Sequence, residues 1–349
     1  MMKRRASKII RIGDVEIGGA GPVVVQSMTK TDTRDVTATV KQISQLEECG
    51  CEIVRVAVPD MAAAQAIVDI KKKSSIPLIA DIHFDYRLAL ESLKSGADGL
   101  RLNPGNISDP AHITRVVRAA KEREVPIRIG VNAGSLPRAS EGKGSVVQRM
   151  VAAAMEEIRL LESLDFDLIK VSLKAFDVPT TVEAYQAIAK KMPYPLHLGI
   201  TEAGLPWAGA IRSAVGLGVL LYQGIGDTMR VSLTTSDASQ EVEAAYEILK
   251  SLKLRERGPT LVSCPSCGRS ETEIVALAQM VERRLKKVQK PIKVAVMGCV
   301  VNGPGEAKDA DVGIACGKGR GVIFRKGEKV RTVEESDFLE ALMAEVEKF

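Results

Sequence analysis

Ile53-Val54-Arg55-Val56 is a short β-branched run with one polar residue in it, and a helical pattern follows it. Seven more runs of this kind occur before residue 233. They are Val23-Val24-Val25, Pro77-Leu78-Ile79-Ala80, Gly99-Leu100-Arg101-Leu102, Ile127-Arg128-Ile129, Leu168-Ile169-Lys170-Val171, Leu196-His197-Leu198 and Met229-Arg230-Val231. The intervening segments carry apolar residues at helical spacing; Val151, Met155, Ile158 and Leu161 fall on one face. Eight strand–helix units within about 250 residues predict a (β/α)8 TIM-type barrel. A doubly wound open sheet is the competing architecture, but no Gly-x-Gly-x-x-Gly opens a helix after the first run.

In such a barrel the C-terminal strand ends build the active site. Those ends are expected to carry Gln26 and Ser27, Arg55, Asp81 and His83, Arg101 and Asn103, Arg128 and Asn132, Ser172 and Lys174, His197 with Thr201 and Glu202, then Arg230 and Ser232. Five cations around one mouth would repel one another unless a polyanion belongs there. Arginine forks suit phosphate oxygens, each charged hydrogen bond contributing roughly 1.5–3 kcal/mol. The expectation is a small, multiply phosphorylated substrate. Asp81 and His83 are open between substrate contacts and an internal hydrogen-bonded pair. The Gly-, Ser- and Arg-rich stretch 133–147 reads as a lid over a phosphate or as a solvated loop.

A second pattern follows the repeats. Cys264-Pro265-Ser266-Cys267 and Met297-Gly298-Cys299-Val300-Val301-Asn302-Gly303-Pro304-Gly305-Glu306 each come just after a β-prone run, so two loops can converge on one ion or cluster. A helix is expected from about Glu271, whose dipole would favour thiolate. A disulfide is not expected in a chain with no other sign of an oxidising compartment. Zinc needs four closed ligands, and no histidine follows His197, which leaves only Cys316 as a fourth cysteine. Three thiolates with Glu306 as a weak oxygen ligand would suit an iron–sulfur cluster. Spacing alone leaves both metals open. Cys49 and Cys51 read as small structural residues, and Gly317-Lys318-Gly319-Arg320-Gly321 as a hairpin turn.

The wording of these segments carries more than their spacing. Ser263-Cys264-Pro265-Ser266-Cys267-Gly268-Arg269 and Val294-Ala295-Val296-Met297-Gly298-Cys299-Val300-Val301-Asn302-Gly303-Pro304-Gly305-Glu306-Ala307 resemble the bacterial 4-hydroxy-3-methylbut-2-enyl diphosphate synthase family. So do Ala80-Asp81-Ile82-His83-Phe84, Leu102-Asn103-Pro104-Gly105-Asn106, Arg128-Ile129-Gly130-Val131-Asn132, Gly199-Ile200-Thr201-Glu202 and Gly226-Asp227-Thr228-Met229-Arg230-Val231-Ser232. The resemblance implies a [4Fe-4S] cluster on Cys264, Cys267, Cys299 and Glu306. It implies that Arg55, Arg101, Arg128, Asn132, Lys174 and Arg230 grip a cyclic diphosphate; Asp81, His83, Asn103, Thr201 and Ser232 are candidate substrate contacts from their strand-end positions alone. Glu202 would sit by the carbon skeleton as the candidate proton donor. The implied reaction is the two-electron reductive dehydroxylation and ring opening of 2-C-methyl-D-erythritol 2,4-cyclodiphosphate, with flavodoxin or ferredoxin as electron donor. Two departures are small: Ser266 stands where the family usually has Thr, and Phe176 where it commonly has a small polar residue. The competing function is a zinc-containing barrel aldolase or transferase acting on a phosphorylated small molecule through Lys170 or Lys174.

Composition narrows the rest. Aromatic residues are 3% of the 349, and the net charge of +5 is spread along the chain. Neither favours nucleic-acid binding. No run approaches the ~18 apolar residues of a membrane span, and no apolar stretch follows the basic start, so a cytoplasmic protein is expected. The domains are expected at 1–253 for the barrel, 254–259 for a charged linker and 260–349 for the cluster domain. A helix from Ala238 to Leu252 would span about 22 Å and carry the chain to the barrel bottom. The short linker, at most about 24 Å, then favours a cluster serving a second subunit. That arrangement is a head-to-tail homodimer, which the resemblance also implies.

Overall fold

The computed structural model describes residues 3–83, 85–102, 107, 109–136, 144–267, 270, 272–299 and 307–349. The chain divides into two compact units, Met1–Arg255 and Glu256–Phe349.

The first unit opens with a hairpin of β1 (Ile10–Ile12) and β2 (Val15–Ile17), turning through Gly13 at φ 58°. The repeats follow: β3 (Val24–Met28), α1 (Val36–Glu48), β4 (Ile53–Ala57), α2 (Met61–Lys71), β5 (Leu78–Ile82), α3 (Tyr86–Lys94), β6 (Gly99–Leu102), α4 (Pro110–Glu122) and β7 (Ile127–Asn132). Then come α5 (Val146–Ser163), β8 (Ile169–Lys174), α6 (Val178–Ala189), β9 (His197–Leu198), α7 (Pro206–Tyr222), β10 (Thr228–Met229) and α8 (Ser239–Ser251). Strands β3 to β10 form one parallel sheet in the order β8-β7-β6-β5-β4-β3-β10-β9, and a parallel bridge between Val171 and Leu196 closes it. The expected barrel is therefore the observed one. Local chemistry starts the helices: Asp35, Asp60, Asp85, Asp109 and Asp177 each cap a helix by accepting a backbone N–H, and Ser145 with Gln148 forms a capping box on α5.

Strand alternation sorts the side chains into two environments. Val54, Val56, Leu78, Ala80, Leu100, Leu102, Ile127, Ile129, Val171 and Leu173 face out, into the main core beneath the helices. The residues between them face in. At the lower end these are Val24, Ile53 and Ile79, which join Ile10, Ile12 and Ile17 of the hairpin in a separate apolar cluster. The hairpin thus plugs the barrel's N-terminal mouth. It is absent from the sequence-based expectation, although Ile-x-Ile-Gly-Asp is a readable turn between alternating strands. Above the plug, the inward positions turn polar.

The second unit consists of β11 (Thr260–Ser263), α9 (Ile274–Leu285), β12 (Lys293–Met297), β13 (Val312–Cys316), β14 (Arg320–Arg325), β15 (Glu328–Glu334) and α10 (Phe338–Val346). The sheet runs β11-β12-β13-β14-β15, with the first three strands parallel and the last two antiparallel. Helices α9 and α10 cover one face through Leu277, Val281, Leu342 and Val346. Helix α9 begins at Ile274, three residues later than expected. Leu254 and Arg255, expected in a linker, are tied to the barrel: Arg255 donates to Val23 O at 2.8 Å and to Glu52 at 3.1 Å.

Candidate active site

Above the plug, the inward residues meet in one cavity of about 200 Å³. Arg55, Asp81, Arg101, Arg128 and Lys174 come from β4 to β8; His83, Thr201, Glu202, Arg230 and Ser232 come from the segments that follow β5, β9 and β10. Asn132 and Ser172 complete the polar lining. Asn103, also expected here, lies outside the described residues. So does 137–143, the centre of the stretch read as a lid.

The strand-end placement expected from sequence needs correction. Arg55 is the third residue of β4, Arg101 the third of β6 and Arg128 the second of β7. They are buried in the barrel rather than set on its rim. Inward positions well before the strand ends thus border the cavity, so which face a residue takes matters as much as its depth along the strand. Two inward glycines make room for the long side chains. A Cβ on Gly130 would lie 3.0 Å from Arg101 Nε, and one on Gly199 only 2.5 Å from Lys174 Nζ.

The electrostatics are lopsided. Five cations line the cavity, against the carboxylates Asp81 and Glu202. Asp81 accepts a hydrogen bond from Arg101 at 3.1 Å and has Arg55 and His83 each at 3.6 Å. Asp81 and His83 are therefore both an internal pair and part of the cavity wall. Burial alone would raise the Asp81 carboxyl, but Arg55, the bond with His83 and Arg101 together hold it well below the usual carboxylate range. Burial lowers Arg55 to about 10, with Arg230 and Arg101 adding to the effect. Burial likewise pushes Arg128 and Lys174 well down, and neighbouring guanidiniums add to it. Nε of Arg55, Arg101 and Arg230, and both Nε and Nη1 of Arg128, are buried without a hydrogen-bond partner among the described residues. Buried donors left unmade are costly, each about 1–3 kcal/mol. The cavity is built for an acceptor-rich anion.

Glu202 holds a left-handed backbone at φ 54°, a region that non-glycine residues occupy at a cost. Its side chain is exposed at the cavity. Sequence reasoning missed Glu241. This buried residue of α8 accepts from Arg230 at 3.2 Å and Leu233 N–H at 3.0 Å, and lies 3.3 Å from Lys30 Nζ. A signal existed, because Glu241 interrupts the apolar stripe of Val242, Ala245 and Leu249.

In the second unit, parallel pairing sets Ser263 beside Val296, so Cys264 and Cys299 follow adjacent strands at the same sheet end. Cys264 Sγ accepts the Gly298 N–H at 3.1 Å. A Cβ at Gly298 would press on Ser270 Oγ at 3.0 Å and reach Cys264 Sγ at 3.4 Å, so glycine lets the loop lie close over the sulfur without displacing Ser270. Cys267 is exposed. Cys316 is fully buried within the α9–α10 core, and burial pushes its thiol up to about 12. Among the described residues no three His, Cys, Asp or Glu side chains are gathered around a metal position. Glu306 lies outside the described residues.

Fold and site together define a (β/α)8-barrel protein with a cation-rich interior, followed by a cysteine-bearing α+β unit. The model of the GcpE TIM-barrel domain matches residues 7–246, and that of the GcpE protein C-terminal domain matches residues 260–348. The chain belongs to the GcpE family. It is 64% identical over 346 residues to the 4-hydroxy-3-methylbut-2-en-1-yl diphosphate synthase (flavodoxin) of Dehalococcoides mccartyi, covering 99% of each chain. The enzyme of that name from Geobacter sulfurreducens is 58% identical, with 97% of this chain and 96% of the relative covered. Among solved structures, dihydropteroate synthase from Xanthomonas albilineans with 7,8-dihydropteroate matches at a TM-score of 0.53 and 16% identity, over 71% of this chain and 99% of that one. Stenotrophomonas maltophilia dihydropteroate synthase matches at 0.54 and 13%, over 71% and 98%. These two likenesses concern the barrel fold alone.

Proposed function

We infer that this chain catalyses the two-electron reductive dehydroxylation and ring opening of 2-C-methyl-D-erythritol 2,4-cyclodiphosphate to 4-hydroxy-3-methylbut-2-enyl diphosphate. The observation that carries the reading is the cavity itself: five cations facing two carboxylates, inside the barrel of a chain that belongs to the GcpE family. Membership of that family does not favour the zinc aldolase or transferase reading. Opening the ring turns a bridging phosphate ester into a free terminal phosphate, and charge builds on that oxygen as the bond breaks. Arg55, Arg101, Arg128, Lys174 and Arg230 hold the diphosphate and stabilise this charge in a site shielded from water. Asn132, Thr201 and Ser232 add polar contacts to the substrate. Glu202 delivers the proton that the departing hydroxyl needs to leave as water.

Cys264, Cys267, Cys299 and Glu306 would hold a [4Fe-4S] cluster. The N–H···S bond to Cys264 and the cysteine loops at one sheet end suit that group. When bound, the cluster supplies electrons one at a time, and flavodoxin is the proposed donor, as the relatives' names suggest. No helix among the described residues is long and apolar enough to cross a membrane, and a cytoplasmic location is proposed.

A head-to-tail homodimer completes the proposal. Helix α7 is apolar nearly all round, and Trp207, Ile211, Val215, Val219 and Tyr222 lie along one exposed face of it, with Trp207 82% exposed. Such a face suits burial against another chain. The function is tested by anaerobic turnover of the cyclic diphosphate with a chemical reductant. Brown protein that releases 4-hydroxy-3-methylbut-2-enyl diphosphate is the expected result, and colourless, inactive protein carrying stoichiometric zinc would refute it.

A further inference from the structure

Directly below the cavity, the barrel interior contains a lysine that the proposed chemistry does not use. Lys170 is the second residue of β8, in register with Arg128 of β7, and is only 1% exposed. Its Nζ has no hydrogen-bond partner among the described residues, and neither do Arg128 Nε and Nη1 or His197 Nε2. The charged and titratable groups that interact with it are Arg128 from β7, Arg55 from β4 and His197 from β9. The remaining one is Asp227, ahead of β10. None of them neutralises an ammonium here. Asp227 is already engaged by Arg4 at 3.0 Å, Ser7 at 2.8 Å and Leu196 N–H at 2.8 Å, while Asp81 serves Arg101 and Arg55. His197 stays neutral, its charged form disfavoured by burial and by the cations around it.

An ammonium sealed beside Arg128 without a carboxylate is unfavourable, whereas a neutral amine there offers its lone pair to a guanidinium short of acceptors. We propose that Lys170 is a neutral amine in the free protein and gains a proton when a diphosphate occupies the cavity above it, so that substrate binding is linked to proton uptake. The inference rests on the diphosphate reading of the cavity. Burial, followed by Arg128 and Arg55, pushes the lysine's ammonium well down, in keeping with the geometry. A diphosphate lying on those same guanidiniums reverses the local field and favours the charged form. Lys170 thereby becomes a positioning residue: it adds positive charge beneath the ligand only when the ligand is present, and spares the free barrel the repulsion.

The test uses anaerobically prepared holoenzyme and inorganic pyrophosphate as the probe. Calorimetric titrations in buffers of different ionisation enthalpy count protons taken up on binding, for wild type and for Lys170→Met. Wild type is expected to take up close to one proton more than the variant. Its affinity then weakens about tenfold more per unit rise in pH than the variant's does. Equal proton uptake in two folded proteins overturns the inference while leaving the diphosphate reading intact. Lys170→Met should also fold at least as stably as wild type, because Met fills the space of an unpaired amine. A variant that fails to fold would reveal a structural ammonium and overturn the inference as well. If wild type does not bind pyrophosphate, the diphosphate reading falls, and this inference with it.

Discussion

Asp81→Asn isolates the electrostatic design of the cavity. Asparagine keeps the shape of the side chain but removes the carboxylate that Arg101 and Arg55 share. Asp81 is buried, with its side chain 5% exposed, so solvent screens these interactions little. Removing one partner of a buried ion pair costs about 3–5 kcal/mol, because the remaining charge stays in place uncompensated. For a unit of this size each kcal/mol is worth about 2–4 °C, so the melting temperature should fall by roughly 6–20 °C. The sign of the pH effect follows from the depressed carboxyl. Its folded value lies below the unfolded one, so the stabilisation is fully present above the unfolded value, including neutral pH. It is lost as pH falls through the folded value, and the gap between the two proteins closes only in strong acid. Urea and thermal unfolding across acid and neutral pH, followed by circular dichroism, measure this directly. Saturating pyrophosphate should narrow the gap at neutral pH by restoring negative charge to the site. A variant within about 1 kcal/mol of wild type at neutral pH would refute the reasoning, as would a gap that widens on acidification.

Four further outcomes are expected. Arg55→Ala, Arg101→Ala, Arg128→Ala and Arg230→Ala should each weaken binding of the cyclic diphosphate by at least about tenfold while the visible cluster spectrum stays normal; unchanged binding in all four would make them structural ion pairs only. Cys316→Ser should keep full iron content and turnover, whereas Glu306→Ala should lose them; the reverse pattern would move the ligand assignment to Cys316. Glu202→Gly relieves the positive-φ backbone, so stability should hold or rise by about 1 kcal/mol while turnover drops about 10²–10⁴-fold, and full turnover would remove Glu202 from the chemistry. Co-expressed Cys264→Ser and Glu202→Ala chains should recover activity in mixed dimers, and heterodimers that form yet stay inactive would mean that each cluster serves its own barrel.

The barrel was legible in the sequence because its information is local. A strand such as Ile127-Arg128-Ile129 repeats every two residues, a helix such as α5 every 3.6, and the order of eight such units leaves few ways to bury the apolar sides. The inward cations were legible for the same reason: Arg55, Arg101 and Arg128 each interrupt an apolar run. The cysteine loops could be read because thiolate ligands need a particular residue type close to a strand end. Local pattern does not carry register between strands, and register decided the rest. Closure set Lys170 beside Arg128 of the cavity floor and gave Asp81 to Arg101 and Arg55. It also brought Glu241 of α8 under Arg230, and the β1–β2 hairpin into the lower mouth. Each of these is a contact between segments far apart in the chain, and its energy exists only once the barrel has closed around it.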